Sequence, residues 1–404
     1  MAWGGPRLRQ GRPVIRVPPW PTAAPPLWTS WRLALPTIRG HTLVARHLRL
    51  AKPVPADLIS DPSVPAPRDE WEEVIASSTD ALAFHAPGWV DAVCASGSWS
   101  DVTHLFEAAS GGRLLVPMVE RSRVPRAAIR RASLPYGWGF GGVVATPQVT
   151  PDEFGAVVEF LAQNAVHPLT IRPNPLLRGR WSERIPSGGA ATVARAAHVL
   201  DLDGGFDYVF EKRFKSRART AVRRAERSGV TAECDTTGRL VPVFYDLYGK
   251  SLKRWSRRGH LPAWLARRSG ETRDPRQKFE HVAARLGDAC RVWVAYAEGR
   301  PAAALICLVR GKAASYWRGC IDEEIASRTR ASYLVQKLAI EDACGAGCLH
   351  YHMGETGDSA SLAQFKEGFG ARLHRYDEYR MEGAPRSAFE RATARLVSAV
   401  TKAA

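Results

Sequence analysis

The 404-residue chain has no CxxC pair among its seven cysteines (94, 234, 290, 307, 320, 344 and 348). This odd, scattered set excludes a disulfide-stapled secreted scaffold and a zinc ribbon, and it fits a reducing compartment. No run approaches 18 uninterrupted apolar residues, so no membrane-spanning helix is expected. The N-terminus lacks the charged, apolar, small-residue order of a secretory signal, which makes the cytoplasm the expected location. Acidic residues are also short in number: 40 Asp and Glu stand against 57 Lys and Arg, for a formal charge of +17. Such a field attracts nucleotides, phosphates, tRNA or anionic lipid surfaces without choosing among them. Hydrophobic residues at 45% and charged residues at 24% are an ordinary globular balance, which excludes wholesale disorder and a fibrous repeat. The length suits two or three domains with ample core.

The excess charge is uneven. Residues 1–60 hold eight Arg, Lys52 and a single acid, Asp57, with ten of the 28 prolines and four of the 13 tryptophans. No helix or strand period runs through them, so residues 1–65 are expected to be a disordered Pro/Arg-rich leader. A basic arm or a start codon assigned too far upstream are its alternative readings. Order begins near Arg68, where acids precede apolar residues at helical spacing. A helix from Pro87 to Ala95 follows, then two β runs, 101–108 and 113–120, joined through Ser110-Gly111-Gly112. A strand near Ser133, a helix from Pro151 to Asn164 and a strand at Leu169–Arg172 complete a first unit, 66–195.

A second unit, 196–383, repeats that layout. It opens with a strand at 197–202, a basic helix at 207–228 and a second helix at 240–256. Strands at 291–297, 301–309 and 313–318 come next, then a helix from Thr329 to Cys344 and a strand at 348–353. A short helix near 362–369 and a strand near 374–381 close it, ahead of a C-terminal helix or tail at 384–404. Two successive units of this kind give an α+β class with mixed, largely antiparallel sheets flanked by helices.

Several segments could carry chemistry. Gly137-Trp138-Gly139-Phe140-Gly141-Gly142 formally matches GxGxxG, but a strand and turn follow where a dinucleotide site needs a helix N-terminus, so it reads as a tight loop between sheet elements. On the basic helix, Phe210, Phe214, Ala218, Ala221, Val222 and Ala225 share one face, and Lys215, Arg219 and Arg223 belong to the cationic remainder. Those cations either face solvent or take a phosphate or RNA backbone. Cys348, His350 and His352 alternate along a strand, about 6 to 7 Å apart, too far for shared coordination, and no metal site is expected. The strand leaves through Gly354-Glu355-Thr356-Gly357, a strand-end loop of the kind that holds reactive groups. Lys366 lies ten residues on, and by residue type alone it is a surface lysine.

Four segments together resemble a known family. They are the basic helix 215–230, Phe244-Tyr245-Asp246-Leu247-Tyr248, Gly299-Arg300-Pro301-Ala302-Ala303-Ala304 with Tyr316-Trp317-Arg318-Gly319, and Phe365-Lys366 with Phe369-Gly370. They are similar to GNAT-fold acyltransferases of the FemAB-like type, which include peptidoglycan bridge-forming aminoacyltransferases and bacterial acetyltransferase-like relatives. The resemblance covers residues 200–380, and the first half by layout. It implies tandem GNAT-like domains and N-acyl transfer to an amine acceptor, such as a cell-envelope precursor. It also implies that Lys366 stabilises charge on the acyl carbonyl or on an acceptor phosphate, and that Phe365 shapes the pocket. Position and chemistry make Glu355 the first candidate base and His352 the second. Tyr316, Trp317, Lys215, Arg219 and Arg223 are candidate substrate contacts, and Arg318, Arg328 and Arg330 are candidate phosphate ligands.

No tightly bound cofactor is expected. The family's CoA loop reads (Gln/Arg)-x-x-Gly-x-(Gly/Ala), and Arg328–Tyr333 keeps the first residue but places Ala331 and Tyr333 at the small positions. Acetyl-CoA or another acyl-CoA and aminoacyl-tRNA therefore both stand as donors. A CoA-dependent acetyltransferase of a biosynthetic pathway is one alternative. A non-catalytic protein on this fold that binds RNA, or associates peripherally with an anionic membrane surface, is another.

Overall fold

A computed structural model describes residues 57–381, apart from 122–123, 126–127, 166, 186–189, 259–267, 269 and 358. Most of the expected leader and all of the expected C-terminal helix or tail lie outside the described residues. In the first half, the helix Arg68–Ser77 carries Asp69 and Glu70 in its first turn and buries Trp71, Val74 and Ile75. The helix Pro87–Ala95 starts on proline, whose missing N–H costs nothing at that position. The strands are β1 (Trp99–Asp101), β2 (His104–Glu107), β3 (Arg113–Val116), β4 (Val119–Arg121), β5 (Arg131–Ser133), β6 (Val144–Ala145) and β7 (Leu169–Ile171). The expected hairpin forms between β2 and β3, but each of its two runs is divided: β2, β3 and β6 make a three-stranded sheet, whereas β1 and β4 pair in the large one.

The second half supplies β8 (Ala191–Asp201), β9 (Thr231–Asp235), β10 (Cys290–Ala297), β11 (Arg300–Arg310), β12 (Ala313–Ile321), β13 (His350–Glu355) and β14 (Arg372–Met381). The β10–β11 turn works because Glu298 and Gly299 both take left-handed backbone, φ 52° and 71°, which matches the twist of a tight hairpin.

The large sheet has eleven strands in the order β1-β4-β5-β7-β14-β8-β13-β12-β11-β10-β9. Inward from β1, the pairings run antiparallel, antiparallel, parallel, antiparallel. Inward from β10, they run in the same sequence. The two halves therefore meet about an approximate two-fold at the antiparallel β14–β8 pair. There the chain exchanges strands: β8 lies beside β13, and β14 lies beside β7. The division expected between residues 195 and 196 falls within β8. One hydrophobic cluster joins Trp71, Trp89 and Trp138 of the first half to Val292, Ile306 and Trp317 of the second. A second cluster lies against the helices Ser216–Arg227 and Ala331–Gly345.

Two helices differ from expectation. The basic helix is broken: Gly205–Tyr208 and a π-type turn, Val209–Arg213, precede Ser216–Arg227. The break buries Phe214 against Phe369 at 5.0 Å and lets the Lys215 N–H donate to the Gly368 carbonyl at 2.8 Å. Gly370 permits this approach, since a Cβ there would sit 2.4 Å from the Arg213 carbonyl oxygen. The helix expected from Thr329 is two helices, Glu323–Thr329 and Ala331–Gly345, parted by Arg330 in left-handed backbone at φ 62°.

Candidate active site

β12 and β13 run parallel for three paired positions: Ala313 with His350, Ala314 with Tyr351, and Ser315 with His352. Beyond them β12 keeps only β11 as its partner, and β13 only β8. Where two parallel strands part, their facing backbone groups are released for something lying between them. β13 is bulged against β8 at Met353, and Gly354 has φ 69°. Glu355 and Thr356 stand at that strand end.

Lys366 is buried at 1% exposure, which corrects the reading of a surface lysine. Its Nζ donates to the carbonyls of Gly354 at 2.9 Å and Glu355 at 2.8 Å and to Thr356 Oγ1 at 3.1 Å. Three ammonium hydrogens thus have three acceptors, all in the strand-end loop. Burial lowers its pKa to about 7, with the Glu355 charge acting the other way. Thr356 Oγ1, accepting from Lys366, also lies 2.9 Å from His198 Nδ1, within hydrogen-bond distance. His198 Nε2 lies 3.9 Å from Glu367 and has no hydrogen-bond partner among the described residues.

A second row of groups comes from the sheet face that receives the first half. Glu355 Oε1 accepts from the Tyr376 hydroxyl. Two residues along β14, Glu378 accepts from Arg195 at 2.8 Å and pairs with Arg172 at 3.4 Å. Burial raises the Glu378 pKa, but Arg380, Arg195 and Arg172 outweigh it and hold the carboxyl below its ordinary range. Arg172 stacks on the exposed Tyr136 ring at 5.1 Å. A path of alternating charge thus runs from Glu355 to the surface.

His352 is fully buried, which lowers its pKa to about 3, and neither ring nitrogen has a hydrogen-bond partner among the described residues. A ring with so little proton affinity is a weak base, which counts against the second base candidate.

The candidate phosphate ligands separate. The helix Ala331–Gly345 begins at Arg330 with no side-chain cap, and Arg328 is exposed one turn earlier. Tyr333 packs against Phe365 at 5.1 Å and stacks on Phe369 at 5.6 Å, so its ring belongs to the packing under the helix Ala360–Gly368. Arg318, by contrast, donates to the Gly137 carbonyl at 2.8 Å and to Asp274 at 3.1 Å. Asp274 also accepts from Lys278 at 2.7 Å and from Tyr248 at 2.9 Å. Lys278 lies 4.2 Å over the Trp138 ring, and Trp317 stacks on Trp138. Arg318 and Trp317 therefore join the two halves, and this placement corrects their assignment to phosphate and substrate.

Tyr316 is partly buried against the second cluster, and burial raises its hydroxyl to about 12. Arg219 donates to the carbonyls of Glu211 and Phe214, Lys215 pairs with Glu367 at 3.4 Å, and Arg223 is exposed. Lys212, Arg213, Lys215, Glu367 and Arg372 line a groove of about 460 Å³ floored by Gly370. Sequence reasoning missed His198, Arg195, Tyr376 and Glu378, which are brought together by pairing across β8, β13 and β14.

Residues 212–367 match the acetyltransferase (GNAT) domain family. The crystal structure of FemX aligns at a TM-score of 0.55 and 12% identity over 78% of this chain and 96% of FemX. The C-terminal domain of a putative lysylphosphatidylglycerol synthetase from Agrobacterium fabrum aligns at 0.45 and 14% identity, over 82% and 95% of the two chains. A tandem GNAT protein from the clavulanic acid biosynthesis pathway aligns at 0.43 and 13% identity, over 81% and 100%. No curated protein matches the sequence. The matched segment, residues 212–367, thus carries a domain of the acetyltransferase (GNAT) type. The fold is similar to that of FemX across most of both chains.

Proposed function

We propose that this protein transfers an acyl or aminoacyl group from a donor held by its second half to an amine acceptor, with a cell-envelope precursor as the acceptor class. The observations that carry the reading are the opening between β12 and β13 and a helix that starts uncapped at Ala331, directly after Arg328 and Arg330. A helix N-terminus presents free N–H groups and positive potential, and two arginines beside it suit a pyrophosphate. Acyl-CoA supplies an activated thioester; the residues here bind and orient it. Glu355 takes the proton of the attacking ammonium, with the Tyr376 hydroxyl fixing the carboxylate. The amine nitrogen bonds to the carbonyl carbon, the carbon–sulfur bond breaks, and the thiolate leaves to be protonated. N–H groups released where the strands part stabilise the oxyanion formed on the way. Lys366 acts through the loop it holds.

The groove lined by Lys212, Lys215 and Arg372 supports a second donor, aminoacyl-tRNA, whose backbone phosphates those cations would meet. Thiol release from acetyl-CoA, followed across a panel of amine-bearing precursors, tests the first reading. Amine-dependent release that Glu355→Gln removes is the expected result. Absence of release, with discharge of aminoacyl-tRNA onto the same acceptors, selects the second donor. The absence of both reactions would refute transferase activity of this kind.

A further inference from the structure

Ser315 and His352 sit opposite each other at the last paired position of β12 and β13. Each is only 1% exposed. Yet Ser315 Oγ, His352 Nδ1 and His352 Nε2 have no hydrogen-bond partner among the described residues. A buried polar atom without a partner is costly, and three of them on facing side chains call for something absent from the protein itself.

The first half shows what a closed version looks like. Ser133 holds the register position that Ser315 holds in the second half, at the last pair of the parallel strands β5 and β7, where its partner is Ile171. The Ser133 hydroxyl donates to the Pro117 carbonyl at 2.7 Å and accepts from the Gly142 N–H at 2.7 Å. In the second half no such bonds form, and a histidine replaces the isoleucine. The first half instead contributes Phe140, from the glycine loop, whose ring centroid lies 6.2 Å from that of His352.

Besides burial, the charges that act on His352 are those of His350, His374 and His85, each of which lowers its proton affinity. Neither an ammonium nor a carboxylate guest would find a countercharge there. Ser315 offers a donor and acceptors, and a neutral imidazole offers one of each. A hydroxyl, which both donates and accepts, matches them, and an ordered water can take its place when no ligand is bound.

We propose that Ser315 and His352 form a recognition pocket for a hydroxyl group carried by the transferred acyl unit. This rests on the donor lying between β12 and β13, as in the function proposed above. It makes the two residues determinants of acyl specificity, separate from proton transfer at Glu355.

Calorimetric titration with 3-hydroxybutyryl-CoA, butyryl-CoA and free CoA tests the proposal on the full chain. The hydroxyacyl form is expected to bind the wild type about tenfold more tightly than the butyryl form. That ratio should fall to about one in Ser315→Ala and in His352→Phe, with CoA affinity unchanged. Equal binding of the two acyl forms to the wild type overturns the pocket while leaving the donor site intact. Failure of CoA itself to bind overturns the donor reading instead.

The melting temperature of ligand-free Ser315→Ala decides the matter independently. It should equal or exceed that of the wild type, since no internal bond is lost. A clear decrease would show that the hydroxyl has a structural partner, and would overturn the proposal even with no ligand bound.

Discussion

The parallel pair in the first half and the parallel pair in the second begin alike and finish differently. In the first, Ser133 ties the end of β5 to Pro117 and Gly142, and Gly141 bridges to Pro173 just past the end of β7. The helix Pro151–Gln163 is capped from within: Thr150 accepts from the Glu153 N–H, and the Glu153 carboxylate accepts from Thr150 and Ser110. In the second, the strands part beyond Ser315 and His352, and the helix Ala331–Gly345 starts uncapped beside two arginines. An acidic side chain fills the helix N-terminus in one half, and cations flank it in the other. One arrangement of strands is thus closed in the first half and left open in the second.

Substitutions can break that contrast. The largest effect is expected from Glu355→Gln, which should lower turnover by about 1,000-fold while leaving CoA affinity and stability unchanged. Next is Asp274→Asn at the junction of the halves. It leaves Lys278 and Arg318 buried without their counter-charge and should cost about 3 kcal/mol in chemical denaturation.

Lys366→Met should alter how stability depends on pH. The folded-state pKa of about 7 lies below the ordinary 10.5, so between those values the unfolded chain holds a proton that the folded chain has released. Stability conferred through Lys366 therefore rises with pH across that window, by about 1.4 kcal/mol per pH unit at most, and the rise should be missing in the variant. The smallest change belongs to the closed half. Glu153→Gln should lower stability by about 1 kcal/mol and leave turnover and CoA binding untouched, the converse of Glu355→Gln.

Most elements were legible because alternation and capping are local. Pro87 opens a helix, Pro151 begins another, and Glu298-Gly299 makes a hairpin. Exchange of β8 and β14 was not legible, since it depends on pairing between residues nearly two hundred positions apart. β9 was missed because Thr231–Asp235 is a polar, largely exposed edge strand with no alternating apolar face. At the site, the loop after β13 and the Phe-Lys pair were legible as segments. The burial of Lys366 was not, because two of its three acceptors are main-chain carbonyls that no residue type announces. Arg318 read as a phosphate ligand until Asp274 appeared beside it, 44 positions away in sequence.

The most direct measurement is calorimetric titration of acetyl-CoA into the wild type, into Arg328→Glu/Arg330→Glu and into Glu153→Gln. The open second half should bind one equivalent, the arginine double variant should bind none, and Glu153→Gln should match the wild type. Two equivalents, or binding that survives the loss of both arginines, would contradict the division into a closed half and an open one.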